Sequence, residues 1–148
     1  MHNLMRNVAL TRVCSGLSAS TTDHLCTAID MRGYRGCTFI AAFGALTTTA
    51  VTSIYLQTAT SSGGTMSTQS GTRVSIDDEL QDGCLIMDVY DPNPDSRWLQ
   101  CVIDRGTANA VVDSVIALQY NPNASYVTHS TDTVYAAEYN ARTSSGTA

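Results

Sequence analysis

The fold is decided by the stretch VTSIYLQT at residues 51–58, in which two kinds of side chain alternate. Its even-numbered positions from 52 to 56 carry Thr, Ile and Leu, whereas the odd-numbered positions from 53 to 57 carry Ser, Tyr and Gln. Successive side chains of a β-strand point to opposite faces, so this period of two is typical of a strand with one buried face. The stretch therefore predicts a half-buried β-strand rather than a helix.

Further segments on either side share this β-prone character and are bounded by turn-forming residues. They are Tyr34–Phe43, Cys84–Tyr90, Arg97–Asp104 and Val111–Tyr120, with a weaker candidate at Tyr126–His129 or Val134–Tyr139. Two prolines within Asp91–Asp95 force a turn, which predicts that the segments before and after it form a hairpin. Short strands without a βαβ rhythm predict an all-β fold, either an antiparallel β-sandwich or a jelly-roll-like barrel.

The chain divides by composition into three parts. Residues 1–24 are polar, rich in Ser and Thr and without a firm apolar period, so we predict an extended N-terminal arm. Residues 25–140 hold the predicted strands and form the β-sandwich domain. Residues 141–148 are mostly Thr, Ser, Gly and Ala, which predicts a flexible C-terminal tail.

Composition and charge exclude several classes of protein. The 148 residues carry a formal net charge of −5 and no lysine, which argues against nucleic-acid binding, since that needs a basic surface. No apolar run approaches the ~20 residues that cross a bilayer, so no membrane partner is expected. The start of the chain lacks the apolar stretch of a signal peptide, which favours a cytoplasmic site of synthesis and reduced cysteines.

Candidate metal and catalytic motifs are incomplete. The segment Asp91–Asp95 spaces oxygen ligands like an EF-hand calcium loop, but Ser96 and Val102 stand where that loop needs Gly and Glu. His24 and Cys26 lack the second ligand pair of a zinc site, and neither a Gly-x-Ser-x-Gly nor a phosphate-loop motif occurs. We therefore predict no catalytic residue, no metal and no cofactor, and hence no enzyme.

Aromatic residues leave a sugar-binding interpretation open. Trp98, Tyr55 and Tyr90 fall in predicted strands, and aromatic side chains on a sheet face are able to stack against a sugar ring. Single Trp and Tyr residues more commonly serve a core or a protein interface. The sequence alone does not decide between these roles.

Four arginines lie at the ends of predicted strands, beside glycine or aromatic residues. They are Arg32, Arg35, Arg97 and Arg105. Arginine is enriched at protein–protein interfaces because its planar guanidinium pairs bidentately with carboxylates and stacks on rings. An interface and ordinary surface charge are both consistent with this pattern.

The run Ala28–Gly44, with the sequence AIDMRGYRGCTFIAAFG, resembles small virion proteins of tailed bacteriophages. In that family an Asp-x-Arg-Gly-Tyr turn leads into a β-strand that ends in glycine. Ile54–Gln57, Arg97–Val102 and Val111–Leu118 are similar to its succeeding strands, so the resemblance covers about residues 25–120. It implies a capsid decoration (cement) protein with a β-sandwich or jelly-roll fold, which often sits as a trimer on the head.

The resemblance and the motif-free composition together lead us to expect a structural virion protein on the capsid exterior. Its expected partners are the major capsid protein and further copies of itself, and binding only to the assembled shell would stabilise that shell. The expected interface residues are Leu4, Met5, Arg6, Arg32, Tyr34, Arg35, Arg97, Trp98 and Arg105. The alternatives are a head–tail connector or tail component, and a host-glycan-binding module displayed on the capsid.

Overall fold

The computed structural model describes residues 4–76, 82–90, 96–123 and 127–137. Within these residues the chain forms one short helix, α1 (Leu4–Asn7), and eleven β-strands. The strands make two antiparallel sheets that pack face to face, which confirms the predicted all-β sandwich.

Five of the strands form the first sheet, which we call sheet A. They are β1 (Val8–Cys14), β2 (Leu17–Ser20), β5 (Tyr34–Leu46), β9 (Cys84–Tyr90) and β11 (Ala110–Pro122). The strand order is β1–β11–β5–β9, and β2 pairs with the part of β11 that lies beyond β1. One cross-strand row of this sheet reads Val8, Tyr120, Gly36 and Tyr90, and these residues therefore share a face.

The other six strands form sheet B. They are β3 (His24–Leu25), β4 (Ile29–Asp30), β6 (Thr52–Ala59), β7 (Ser67–Thr68), β8 (Val74–Ile76) and β10 (Trp98–Asp104). The strand order is β3–β10–β6–β7, with β4 also paired to β10 and β8 also paired to β6. Strand β6 contains residues 52–58 of the alternating stretch VTSIYLQT. Its Ile54 and Leu56 are buried while Tyr55 and Gln57 are partly exposed, as the period of two predicted.

The core lies between the two sheets and is built from alternate side chains of the long strands. Those buried to within 1% include Cys37, Phe39, Ala41 and Phe43 of β5, and Leu99, Cys101 and Ile103 of β10. All five cysteines are free thiols, and four of them are buried. The exception is Cys84, which is exposed on β9.

The predicted hairpin of β9 and β10 is wrong. Strand β9 pairs with β5 in sheet A, whereas β10 pairs with β6 in sheet B, so the chain between them crosses from one sheet to the other. A proline-rich turn ends a strand without fixing which strand the next one pairs with. The turn itself, at residues 91–95, lies outside the described residues, as does the calcium-loop interpretation placed on it.

Strands β1 and β2 correct the expectation of an extended arm over residues 1–24. Strand β1 is paired with β11, and its Val8, Ala9, Val13 and Cys14 are buried. The register shifts between Arg12 and Cys14, and this bulge hides the period of two from sequence inspection. The predicted tail, residues 141–148, lies outside the described residues.

The weaker strand predicted near the C-terminus is absent from the described residues 127–137. This segment instead covers the outer edge of β1 with side chains. His129 Nδ1 accepts a hydrogen bond from the Leu10 N–H (3.2 Å), and Thr133 Oγ1 accepts one from the Arg12 N–H (3.3 Å). Covering an edge in this way protects it from pairing with another chain.

Candidate subunit-binding rim

One end of the sandwich gathers most of the residues predicted to form an interface. Trp98 begins β10 opposite Asp30, and the turn after Asp30 leads directly into β5 at Tyr34. Val8 follows α1 and lies in the same row as Gly36, so α1 belongs to this end as well. We call this end the arginine rim. Its predicted interface residues are Leu4, Met5, Arg6, Arg32, Tyr34, Arg35, Arg97 and Trp98.

A bidentate ion pair organises the sheet B side of the rim. Arg97 donates from Nε to Asp30 Oδ1 and from Nη2 to Asp30 Oδ2, both at 2.7 Å. The Arg97 guanidinium carbon also lies 5.9 Å from the centre of the Trp98 ring, and the Arg32 N–H donates to Asp30 Oδ1 at 3.0 Å. Because Asp30 and Arg97 are both partly exposed, the pair adds at most about 1 kcal/mol of stability, but it fixes the direction of the guanidinium.

The turn between β4 and β5 is held to both sheets. Gly33 has φ of 89°, in the left-handed region that favours glycine, and its carbonyl accepts from the Asn123 N–H at 2.8 Å. The Gln119 side-chain amide donates to the Asp30 carbonyl at 2.8 Å and approaches the buried Met31 sulfur. These contacts join sheet A to sheet B at the rim, so its side chains project from a fixed backbone.

The sheet A side of the rim carries an aromatic pair that sequence reasoning missed. The Tyr120 ring occupies the space where residue 36 would carry a Cβ, which is why Gly36 stands opposite it. The Tyr120 hydroxyl donates to Asp88 Oδ2 at 3.0 Å, and the Tyr90 ring lies nearly parallel, 6.4 Å away between centres. Removal from water, together with the nearby Asp88 carboxylate, raises the pKa of Tyr120 to about 12. The sequence signal that could have revealed this pair is Gly36 in one predicted strand and Tyr120 at the end of another.

Two arginines and an apolar side chain of the rim face solvent. Arg32 is exposed in the β4–β5 turn, and the exposed Arg35 places its guanidinium carbon 6.0 Å from the centre of the Tyr90 ring. Leu4, in α1, is 54% exposed. A cationic and aromatic surface with an exposed apolar residue has the composition of protein-binding hot spots.

Arg105 does not belong to this surface, which corrects its assignment as an interface residue. It is only 5% exposed and lies where the chain passes from β10 in sheet B to β11 in sheet A. Its Nη1 donates to the carbonyls of Ser18 (2.7 Å) and Ala110 (3.3 Å). The arginine therefore supports the fold from inside, by donating to backbone carbonyls of β2 and β11.

The aromatic residues considered for sugar stacking do not form one platform. Trp98 and Tyr55 lie on the outer face of sheet B, whereas Tyr90 belongs to sheet A. The Arg73 guanidinium carbon lies over the Tyr55 ring, 4.7 Å from its centre, and Arg97 lies over Trp98. Arginines thus already occupy a face of both sheet B rings.

The other candidate sites are not assembled in the described part of the chain. No group of three His, Cys, Asp or Glu residues there is arranged to hold a metal ion. The buried Cys26 is engaged with neighbouring thiols, since a hydrogen bond with Cys101 and burial both raise the pKa of Cys26. Within the same residues, no helix has the length and apolar character needed to span a membrane.

No protein-family model matches the chain, and no curated protein matches it. Among solved structures, it is similar to a Bacillus endospore appendage protein from a family of disulfide-linked pili, with 13% identity and a TM-score of 0.45. That match covers 79% of this chain and 90% of the other. It is also similar to the C-terminal family 22 carbohydrate-binding module of Clostridium thermocellum Xyn10B, with 14% identity and a TM-score of 0.44. That match covers 78% of this chain and 87% of the other.

Proposed function

We propose that the protein is a structural virion protein that decorates a phage head by binding the assembled major capsid protein through the arginine rim. The observation that carries this proposal is the gathering of four of the eight arginines, with Trp98 and Tyr34, at one end of a β-sandwich. The resemblance of residues 25–120 to virion proteins of tailed phages supplies the kind of partner.

The rim has the physical features of a binding surface. Arg97 is held in place by Asp30 and Trp98, so little side-chain entropy remains to be lost on binding. Arg32 and Arg35 are exposed beside it and are suited to pair with carboxylates of a partner. Docking through the rim would place the end of the sandwich against the shell, with the sheets roughly perpendicular to the shell surface.

Decoration of this kind acts through mass action. A protein that binds the assembled shell but not its separated subunits stabilises the shell by RT ln(1 + [L]/Kd), where [L] is the concentration of free decoration protein. Many identical sites on one shell repeat this modest contribution, so no catalytic step is needed for the function.

Cosedimentation with assembled heads of the phage that encodes this sequence tests the proposal. We expect the wild-type protein to bind heads and the double variant Arg32→Ala/Arg35→Ala to bind about 30-fold more weakly, because losing the two interface arginines together is expected to remove about 2 kcal/mol of binding free energy. Arg73→Ala removes an arginine that bonds Asp104, at the far end of β10, and is expected to bind like wild type. Absence of wild-type binding, or equal loss in both variants, would contradict docking through the rim.

A further inference from the structure

The outer face of sheet A carries a continuous apolar surface. Cross-strand pairing places Leu10 beside Leu118 in one row, and Ile116, Ile40 and Ile86 side by side in the next. All five side chains are at least partly exposed, and Ile86 is 59% exposed. We call these five residues the apolar face.

The outer face of sheet B alternates polar and apolar rows, unlike the apolar face. Gln100 lies opposite Gln57 and Asp104 lies opposite Ser53, while the row between them holds Leu25, Val102 and Tyr55. A sandwich sheet with one solvated face normally alternates apolar and polar residues, as sheet B does. Contiguous apolar surface on one outer face therefore indicates that another protein surface covers it.

The charges beside the apolar face are arranged in a self-complementary way. Arg12 is exposed on β1 in the isoleucine row, whereas Asp88 is exposed on β9 in the neighbouring row, at the opposite edge of the sheet. The Asp88 oxygens accept hydrogen bonds from Thr38 (2.6 Å) and Tyr120 (3.0 Å), which hold the carboxylate on this face. A rotation of 180° about an axis parallel to the strands brings β1 of one copy over β9 of another.

We propose that the apolar face packs against the same face of a second copy, with a two-fold axis parallel to the strands. The isoleucine rows of the two copies then meet at the centre, and Arg12 of each copy approaches the partner's Asp88 at the margin. An axis perpendicular to the strands would instead place β1 over β1, with the two Arg12 side chains on the same edge. None of the five residues of the apolar face is a predicted interface residue of the rim, but Asp88 also accepts a hydrogen bond from Tyr120 on the sheet A side of the rim. A dimer of this kind differs from the trimer that the family resemblance implies.

The size of the face sets the expected strength of pairing. Four strands spaced ~4.8 Å apart, each about seven residues long with a rise of ~3.4 Å, give the outer face of sheet A, of which the apolar face is a part, an area of roughly 450 Å². A stable interface buries about 800 Å² on each partner. The pairing is therefore expected to be reversible and in the micromolar range, and to be strengthened where copies are held close together on a surface.

Sedimentation equilibrium over a series of protein concentrations tests the proposal. For wild-type protein, the mass is expected to rise with concentration from the 15.8 kDa of one chain towards twice that value. Ile86→Glu buries a carboxylate in the paired face and is expected to raise the dissociation constant by at least about tenfold. The matched control is Leu25→Glu, which places the same charge at a side chain that is 58% exposed on sheet B, and it is expected to pair like wild type.

A charge exchange adds a second, independent measurement. Arg12→Asp is expected to weaken pairing. Adding Asp88→Arg to the same chain is expected to restore it, because the positive and negative charges have then exchanged places between the two edges of sheet A. A wild-type mass that stays at one chain, a mass of three chains, or equal effects of Ile86→Glu and Leu25→Glu would overturn the proposal. Circular dichroism on each variant separates loss of pairing from loss of the fold, and head binding measures docking separately.

Discussion

Replacing Arg105 by methionine is expected to destabilise the fold while leaving the arginine rim intact. Arg105→Met keeps most of the length of the side chain but removes every donor of the guanidinium. The carbonyls of Ser18 and Ala110, which now accept from Nη1 at 2.7 and 3.3 Å, then lose these hydrogen bonds. These two carbonyls belong to β2 and β11, so the loss falls on the edge of sheet A.

The size of the effect follows from these two hydrogen bonds. A hydrogen bond to a charged group contributes about 1.5–3 kcal/mol, and the longer bond to Ala110 lies at the weaker end of that range. Removing a buried guanidinium also returns part of its desolvation cost, so we expect a net loss of about 3 kcal/mol in the free energy of unfolding. For a chain of 148 residues this lowers the melting temperature by about 6–12 °C.

Urea denaturation monitored by fluorescence of Trp98 measures this free energy. Arg73→Met is the matched control, because Arg73 is half exposed and its ion pair with Asp104 is expected to contribute no more than about 1 kcal/mol. At temperatures where it remains folded, Arg105→Met is expected to bind heads like wild type, unlike the Arg32 and Arg35 variants. A loss below about 1 kcal/mol, or weakened head binding by folded Arg105→Met, would refute a purely internal role for this arginine.

Three further predictions follow from particular residues. Gly106→Ala is expected to lower the free energy of unfolding, measured by urea denaturation, by more than about 2 kcal/mol. The reason is that φ of Gly106 is 62° and the added Cβ would overlap the Val51 carbonyl. A decrease of less than about 1 kcal/mol would contradict this prediction. Burial raises the pKa of Asp104, but hydrogen bonds from Arg73 and from the Gly106 N–H outweigh burial and lower that pKa overall. The ionised Asp104 carboxylate therefore stabilises the folded state above about pH 4, and this stabilisation is lost as the pH falls further. Acid titration of unfolding should therefore show a smaller loss in Arg73→Ala, and an identical loss would refute the coupling. Native-state alkylation at pH 8, followed by mass spectrometry, should modify Cys84 and leave the four buried cysteines until unfolding; early reaction of a second thiol would contradict the core.

Local pattern was enough to predict the strands that carry the core. The alternation in residues 51–58 and the aromatic and small residues of Tyr34–Phe43 correspond to β6 and β5, each within three residues at its ends. The segment Val111–Tyr120 likewise lies within β11. These strands bury one face, so buried and more exposed residues alternate along them and the sequence shows a period of two.

Pairing between distant strands was not accessible in the same way. Cys84–Tyr90 and Trp98–Asp104 were predicted as strands, but their assignment to different sheets depends on contacts with β5 and β6, which are far away in sequence. The edge strand Val8–Cys14 was missed because a bulge interrupts its alternation.

The candidate site was only partly visible in the sequence. Arginines beside glycine or aromatic residues pointed to the rim, but the same pattern at Arg105 marked a buried group, since composition does not report burial. The apolar face escaped detection because Ile40, Ile86 and Ile116 lie on three different strands and meet only through cross-strand register. A single strand shows which of its faces is apolar, but not which residues of other strands lie beside it.

An electron cryomicroscopy reconstruction of the intact phage particle tests the central claim most directly. We expect sandwich-shaped density repeated over the outside of the shell, with the turn between β4 and β5 and the Arg32 and Arg35 side chains facing the major capsid protein. Density confined to the vertex that carries the tail, or a shell from which this chain is absent, would contradict a decoration protein.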